Sequence, residues 1–241
     1  MAMLQQVQRY YKMQGISPMH FSCRRKGECE ADCSDFTGPK EPHIGTKYEI
    51  GRFPRILFLS LDSGRESREP SRRTAPAVRR WAENVDVEAI PKRRHWRVTH
   101  EMAGELLKAY KPGLKLNEIA PFFAHSNAAK CCQNKLGKQQ ADKKLFRKCS
   151  EYIVGELKIL RPDVLVTQGR EAFNTIELAL RKREISSLRP VTWESAKTGG
   201  YGELVIGGRK VLWFPSLHPQ ARGNAFQLQR ERCWKRWSRK V

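Results

Sequence analysis

The chain has 241 residues and carries 46 Lys plus Arg against 25 Asp plus Glu, a net charge of +21. This length suffices for one α/β domain with a real core, or at most two small ones. No run of 18 apolar residues is present, which excludes a membrane-spanning helix, and the polar, aromatic N-terminus lacks the apolar stretch of a signal peptide. A cytoplasmic monomer is therefore expected. The basic residues are spread along the chain, so the folded body itself should carry a basic face. A polyanion, with nucleic acid as the first candidate, is the expected partner; the plainer alternative is a generally basic, soluble surface.

In chain order, residues 1–14 read as a short helix stopped by Gly15 and Pro18. Residues 23–33, C-R-R-K-G-E-C-E-A-D-C, form a charged loop with three thiols, and residues 36–53 are a connector rich in Gly and Pro. Residues 55–61, R-I-L-F-L-S-L, are apolar on both faces, as a central parallel strand is, and end in Asp62-Ser63-Gly64. An Arg-rich loop follows, with a helix over residues 77–84, a basic aromatic loop over 91–97 and a helix over 99–110. The apolar run 119–124 reads as a buried strand. It turns polar at His125, Ser126 and Asn127, and the pair Cys131-Cys132 comes next.

The helix over 141–160 is the clearest in the chain, with Leu145, Cys149, Tyr152, Ile153, Leu157 and Leu160 on one face. Residues 164–168 are a buried strand, 171–183 a helix and 186–202 a loop. Residues 204–206 and 210–214 flank Gly207-Gly208, a hairpin signal, and the second strand leads to His218-Pro219. A helix rich in Arg and Trp over 226–237 closes the chain. This alternation predicts an α/β protein, a three-layer α/β/α sandwich with a mostly parallel central sheet, formed as a single domain over residues 1–241.

Asp62, Asn127 and His218 each stand just past a predicted strand end, the edge where open α/β sheets bind ligands. Singly, each has an ordinary reading: Asp62 as a turn or cap residue, Asn127 as a turn residue, His218-Pro219 as loop. Together, on one sheet edge of a strongly basic protein, they form a candidate site. Six of the seven cysteines fall in two groups, Cys23, Cys29 and Cys33, then Cys131, Cys132 and Cys149; in a cytosolic chain such clustering favours a metal over disulfides. Cys233 stands alone.

The order strand-Asp, strand-Asn-x-x-Lys-Cys, R-P-D-V-L-V-T-Q-G-R and strand-x-x-His-Pro resembles the uracil-DNA glycosylase superfamily, most closely its iron–sulfur branch. The branch's N-V-V-K-C segment, which holds a base-reading Asn and a cluster Cys, reads here N-A-A-K-C over residues 127–131. The next cluster Cys matches Cys149, the R-P-x-V-I-V-x-L-G-R segment matches residues 161–170, and the His-Pro motif matches His218-Pro219. Two departures stand out. The branch's G-E-x-P-G reads here S-L-D-S-G over residues 60–64, with Leu61 where the family has Glu and Asp62 where the best-known branch has its water-activating Asp. The G-x-P-F-V-G segment, whose Phe stacks on uracil, is replaced by a long Arg-rich stretch over residues 66–96, in which Trp81, His95 or Trp96 is left to supply a stacking ring. Lys92-Arg93-Arg94-His95 is similar to a basic insert of a branch that traps uracil covalently, but it precedes a different motif and is discounted.

The resemblance implies a uracil-DNA glycosylase-like fold and hydrolysis of the N-glycosidic bond of a flipped-out pyrimidine, leaving an abasic site. Asp62 would stabilise the sugar cation and orient water, and neutral His218 would donate to the pyrimidine O2. Asn127, with Ser63, Gly64 and Trp96, would bind the base, and Arg65, Gln220 and Arg222 would contact the DNA backbone. A [4Fe–4S] cluster is implied, held by Cys131 and Cys149 with two of Cys23, Cys29 and Cys33, and tying segment 1–53 to the rest of the domain; zinc is the alternative, and Cys132 is taken as a bystander. The missing stacking segment suggests a wider or different pocket, so that the base is either uracil, which would make the enzyme one of DNA repair, or a bulky modified cytosine such as glucosylated hydroxymethylcytosine of phage DNA, which would make it one of antiviral defence. The alternative is a catalytically inactive iron–sulfur DNA-binding module of the same fold.

Overall fold

A computed structural model describes residues 2–30, 36–64, 68–133, 143–221 and 224–241. In chain order the helices are α1 (Met3–Met13), α2 (Lys26–Glu30), α3 (Ala75–Asn84), α4 (His95–Leu107), α5 (Lys143–Leu160), α6 (Arg170–Arg181) and α7 (Asn224–Ser238). The strands are β1 (Phe36–Thr37), β2 (His43–Ile44), β3 (Ile56–Asp62), β4 (Phe123–Ala129), β5 (Cys132–Gln133), β6 (Val164–Gln168), β7 (Ser186–Arg189), β8 (Gly202–Ile206) and β9 (Arg209–Ser216).

Seven strands form the central sheet in the order β2-β4-β3-β6-β9-β8-β7. Its middle, β4-β3-β6-β9, is parallel; β2, β8 and β7 add antiparallel edges. The parallel strands are short apolar runs because both of their faces are covered. Leu57 and Leu59 of β3 pack in the core formed with α1, α5 and α6, and Ile56 and Phe58 in the core formed with α4 and α7. Neighbouring residues of β9 show the same alternation. Trp213 stacks on Phe173 of α6 at 4.9 Å, and Phe214 stacks on Trp237 of α7 at 5.1 Å with ring planes 4° apart. Each pair adds about 0.5–1.5 kcal/mol beyond area burial and fixes a helix to its side of the sheet.

The expected α/β/α architecture is observed, with local differences: the charged loop 23–33 holds helix α2, the connector 36–53 holds β1 and β2, and Asp62 is the last residue of β3 and not past its end. The apolar run 119–124 is not one strand. Pro121 sits in a 3-10 turn, Ala120–Phe122, and β4 begins only at Phe123, so His125 and Asn127 lie within the strand and not past its end. The basic aromatic stretch is helical from His95, at the start of α4. Residues 186–189, read as loop, form edge strand β7, exposed at all four positions. A separate two-stranded sheet pairs β1 with β5 (Thr37 opposite Cys132), joining the N-terminal segment to the chain just after β4.

Candidate active site

The C-terminal ends of the parallel strands converge on a cavity of about 850 Å³. Asp62, Asn127 and His218 all line it, with Ser63, Gly64, Trp96 and Gln220, so the structure brings together every described residue expected at the site. Arg65, Arg222 and Cys33 lie outside the described residues.

Strand register explains the convergence. Ser60 stands opposite Asn127, and Phe58 opposite His125, across β3 and β4. The period-2 alternation of β4 sends Phe123, His125 and Asn127 to the cavity side and Ser126 to the opposite face, where Ser126 meets Glu156 of α5 at 2.8 Å. Asn127 Nδ2 donates to the backbone carbonyl of Asp62 at 2.7 Å. Asp62 Oδ1 accepts the Gly64 N–H at 3.1 Å, closing an Asx turn with Gly64 at φ 60°. Gly169, at φ 99°, makes the bend from β6 into α6; a Cβ there would stand 3.0 Å from Leu61 and 3.5 Å from His218. Only glycine allows both that backbone angle and that approach.

His218 accepts the Gln220 N–H on Nδ1 at 3.2 Å. Burial, with Arg230 adding to it, pushes its pKa down to about 4. The ring is thus neutral at physiological pH, with its proton on Nε2, a hydrogen-bond donor.

Beneath these residues lies a polar network that sequence reading does not find. Ser60 donates its hydroxyl proton to Gln168 Oε1 at 2.6 Å. Ser60 Oγ also meets His95 Nε2 at 2.9 Å and His125 Nε2 at 2.8 Å, so both imidazoles act as N–H donors to it. Gln168 Nε2 donates in turn to Thr99 Oγ1 at 3.1 Å. His95 stacks obliquely near His218, ring centres 5.6 Å apart. Burial drives the pKa of His43 and His95 down to about 3 and that of His100 to about 4, and holds His125 well below its usual range. His43, His95, His125 and His218 thus furnish neutral imidazoles to the cavity wall, with His100 buried behind them. The signal for His125 is its period-2 spacing from Asn127, visible once β4 is placed at 123–129.

Trp81 and Trp96 form one wall, ring centres 5.4 Å apart. Trp81 is 46% exposed, the more available face for a flat ring. Trp96 Nε1 and His43 Nδ1 are buried without a hydrogen-bond partner among the described residues. Lys40, Arg94 and Arg170 bring positive charge to the same cavity.

A second, smaller cavity lies where α2, β1 and α5 meet. Cys23, Cys29, Cys131 and Cys149 line it together with Lys130 and Tyr152. Burial raises Cys131 well above the usual thiol range and Cys149 to about 12, and the other thiols around the cavity add to each shift. Cys132 lines the larger cavity instead. Among the described residues no three or more His, Cys, Asp or Glu side chains form a group that could hold a metal ion, and none of the helices is long and apolar enough to cross a membrane.

The family model of the uracil DNA glycosylase superfamily matches residues 53–239, the span holding the whole parallel sheet and all three converging residues. The chain belongs to this superfamily, whose members typically hydrolyse N-glycosidic bonds in DNA. A search of curated proteins found no match.

Proposed function

We propose that the protein is a monofunctional DNA glycosylase that acts on a flipped-out pyrimidine and leaves an abasic site. The observation that carries this reading is the presence of Asp62, Asn127 and His218 in one cavity at the C-terminal sheet edge. Cleavage of the glycosidic bond builds positive charge on the sugar and negative charge on the departing base. The Asp62 carboxylate would face the sugar, stabilising the cation and orienting water. The Nε2–H of neutral His218 would donate to the pyrimidine O2 as charge collects there. A neutral donor matches a base leaving as an anion, since it lends a hydrogen bond without surrendering a proton.

Asn127 would read the base edge. Its Nδ2 is anchored on the Asp62 carbonyl, so turning the amide over would set two oxygens against each other. The order of acceptor Oδ1 and the second Nδ2 hydrogen is thereby fixed in space. Uracil and cytosine present opposite donor–acceptor orders at their N3 and C4 substituents, so for a given base pose one is favoured. Ser63 and Gly64 would border the base and Trp81 or Trp96 stack on it. Arg65, Gln220 and Arg222 would contact the backbone, repaying part of the few kcal/mol that flipping costs.

The cavity volume lies within the range of sites for whole small-molecule ligands and exceeds what a bare pyrimidine fills. This supports a bulky modified cytosine, such as glucosylated hydroxymethylcytosine, as substrate, and with it a role in defence against phage DNA. The test is abasic-site formation on DNAs containing uracil, unmodified cytosine, hydroxymethylcytosine or its glucosylated form. Release from the glucosylated DNA alone supports the bulky substrate; release from uracil DNA alone assigns repair; no release from any of the four favours the inactive binding module.

The small cavity suits a [4Fe–4S] cluster with Cys23, Cys29, Cys131 and Cys149 as ligands. Four thiols from two distant chain segments meet the ligand demand of such a cluster. Zinc held by the same four thiolates is the alternative. When bound, the cluster would supply a covalent cross-link between residues 23–29 and the chain that follows β4. Lys130, whose N–H reaches Cys149 Sγ at 3.5 Å, would offset part of its negative charge.

A further inference from the structure

Arg73 ends the 3-10 turn Pro70–Arg73 and is 1% exposed. It belongs to the Arg-rich stretch that stands in place of the family's stacking segment, yet it does not line the large cavity. Its guanidinium reaches acceptors in different directions, three of them among the described residues. Nη2 donates to Ser63 Oγ at 2.5 Å, Nη1 to the Gly64 carbonyl at 3.4 Å, and Nε to the Pro39 carbonyl at 3.3 Å. Its own carbonyl accepts the Glu41 N–H at 2.9 Å. Two of these contacts fall on the residues that follow Asp62, inside the turn whose first bond is Gly64 N–H to Asp62 Oδ1. The others fasten the same guanidinium and its backbone to the N-terminal segment.

Burial disfavours a charged guanidinium, while Asp62, Cys131 and Cys132 nearby favour it. A planar fork of fixed donors can hold three acceptors at once; a lysine ammonium at the end of a flexible stem is a point charge and cannot reproduce that geometry. Gly64 at φ 60° leaves the turn little intrinsic preference for one conformation, so its shape depends on what grips it from outside.

We propose that Arg73 is a positioning residue, which clamps the Ser63–Gly64 turn against the Pro39 segment and thereby aims the Asp62 carboxylate at the sugar. This deepens the glycosylase reading and rests on it for its effect on rate. A displaced carboxylate costs rate more than binding, because a misplacement of about 1 Å at a reacting group lowers turnover by about 10²-fold.

The test uses the full chain with Arg73→Lys and Arg73→Ala. Single-turnover base release, DNA affinity and amide exchange at Gly64 are measured for each, and Arg73→Ala is also assayed with added guanidinium ion. The expected result is a rate about 10²-fold lower in both variants, DNA affinity within about threefold of wild type, faster exchange at Gly64, and partial recovery of the alanine variant by guanidinium. If Arg73→Ala does not fold, Arg73→Lys decides. A lysine variant with wild-type rate and wild-type Gly64 protection overturns the proposal. Should the wild type release no base from any DNA, the glycosylase reading fails; Gly64 exchange in the lysine variant then still shows whether Arg73 holds the turn.

Discussion

Asn127 and Asp62 are joined directly: the side-chain amide of one donates to the backbone carbonyl of the other at 2.7 Å. The residue proposed to read the base and the residue proposed to face the sugar therefore move together. Asn127→Asp puts an oxygen where the donor was, against the Asp62 carbonyl in a site only 7% exposed. The loss of a buried hydrogen bond costs about 1–3 kcal/mol, to which the new repulsion adds. The variant should unfold at lower urea concentration and release base at least about 10²-fold more slowly. Asn127→Asp with wild-type stability would mean that this bond does not organise the site.

The histidines make a prediction about acid. In an unfolded chain each imidazole titrates near 6.5; in the fold His43 and His95 are held at about 3, and His100 and His218 at about 4, chiefly by burial. Above pH 6.5 these groups are neutral in both states and contribute no pH dependence. Below it the unfolded chain takes up protons that the folded chain refuses, so stability falls with pH until the folded pKa values are reached. Each group contributes at most about 1.4 kcal/mol per pH unit. The urea midpoint should fall steeply from pH 6.5 to 4, and the rate of base release should show no ionisation of His218 near 6.5. A midpoint unchanged between pH 7.5 and 5 would contradict the buried neutral assignment.

On the opposite face of β4, Lys130 and Glu156 form a buried ion pair at 2.5 Å, each side chain 2% exposed. Tyr11 Oη and Ser126 Oγ also donate to Glu156 Oε1, at 2.9 and 2.8 Å. Lys130→Met leaves a carboxylate buried without its cation and should cost about 3–5 kcal/mol. Lys130→Met combined with Glu156→Leu should recover a large part of that loss, because both charges are then gone. Denaturant unfolding of the two single variants and the double variant measures the coupling; additive losses would show that the pair is not the organising contact.

Cys149→Ser should abolish iron and sulfide incorporation in anaerobically purified protein. It should also lower the melting temperature by loosening residues 23–29 from α5. Cys132→Ser, on a thiol that lines the other cavity, should retain both. Equal iron content in wild type and Cys149→Ser would exclude Cys149 as a ligand.

Much of this architecture is legible from residue order alone, and the exceptions have physical causes. β6 is read at its true limits because Pro162 and Gly169 bracket a short apolar run. β4 is displaced because Pro121 diverts the first apolar residues into a 3-10 turn, while His125 and Asn127 look like loop. They sit in a strand because Ser60 and the Asp62 carbonyl, distant in sequence, satisfy them. Edge strand β7 escapes notice because it buries nothing and so has no apolar period. The Ser60–His95–His125–Gln168 network joins residues 35 to 108 positions apart from Ser60, and no local pattern announces it. Arg73 is hidden by its company: among the many arginines of its stretch, only packing shows which one is interior.

The most direct test compares wild-type protein with Asp62→Asn for abasic-site formation, with DNA affinity measured on the same substrates. The amide keeps the shape of the carboxylate and removes its charge. A wild-type enzyme that generates abasic sites, and a variant that binds DNA equally well but generates them at least about 10³-fold more slowly, is the predicted result. Equal release by both proteins would contradict the role of Asp62, and no release by the wild type on any of the four DNAs would contradict the assignment of catalysis itself.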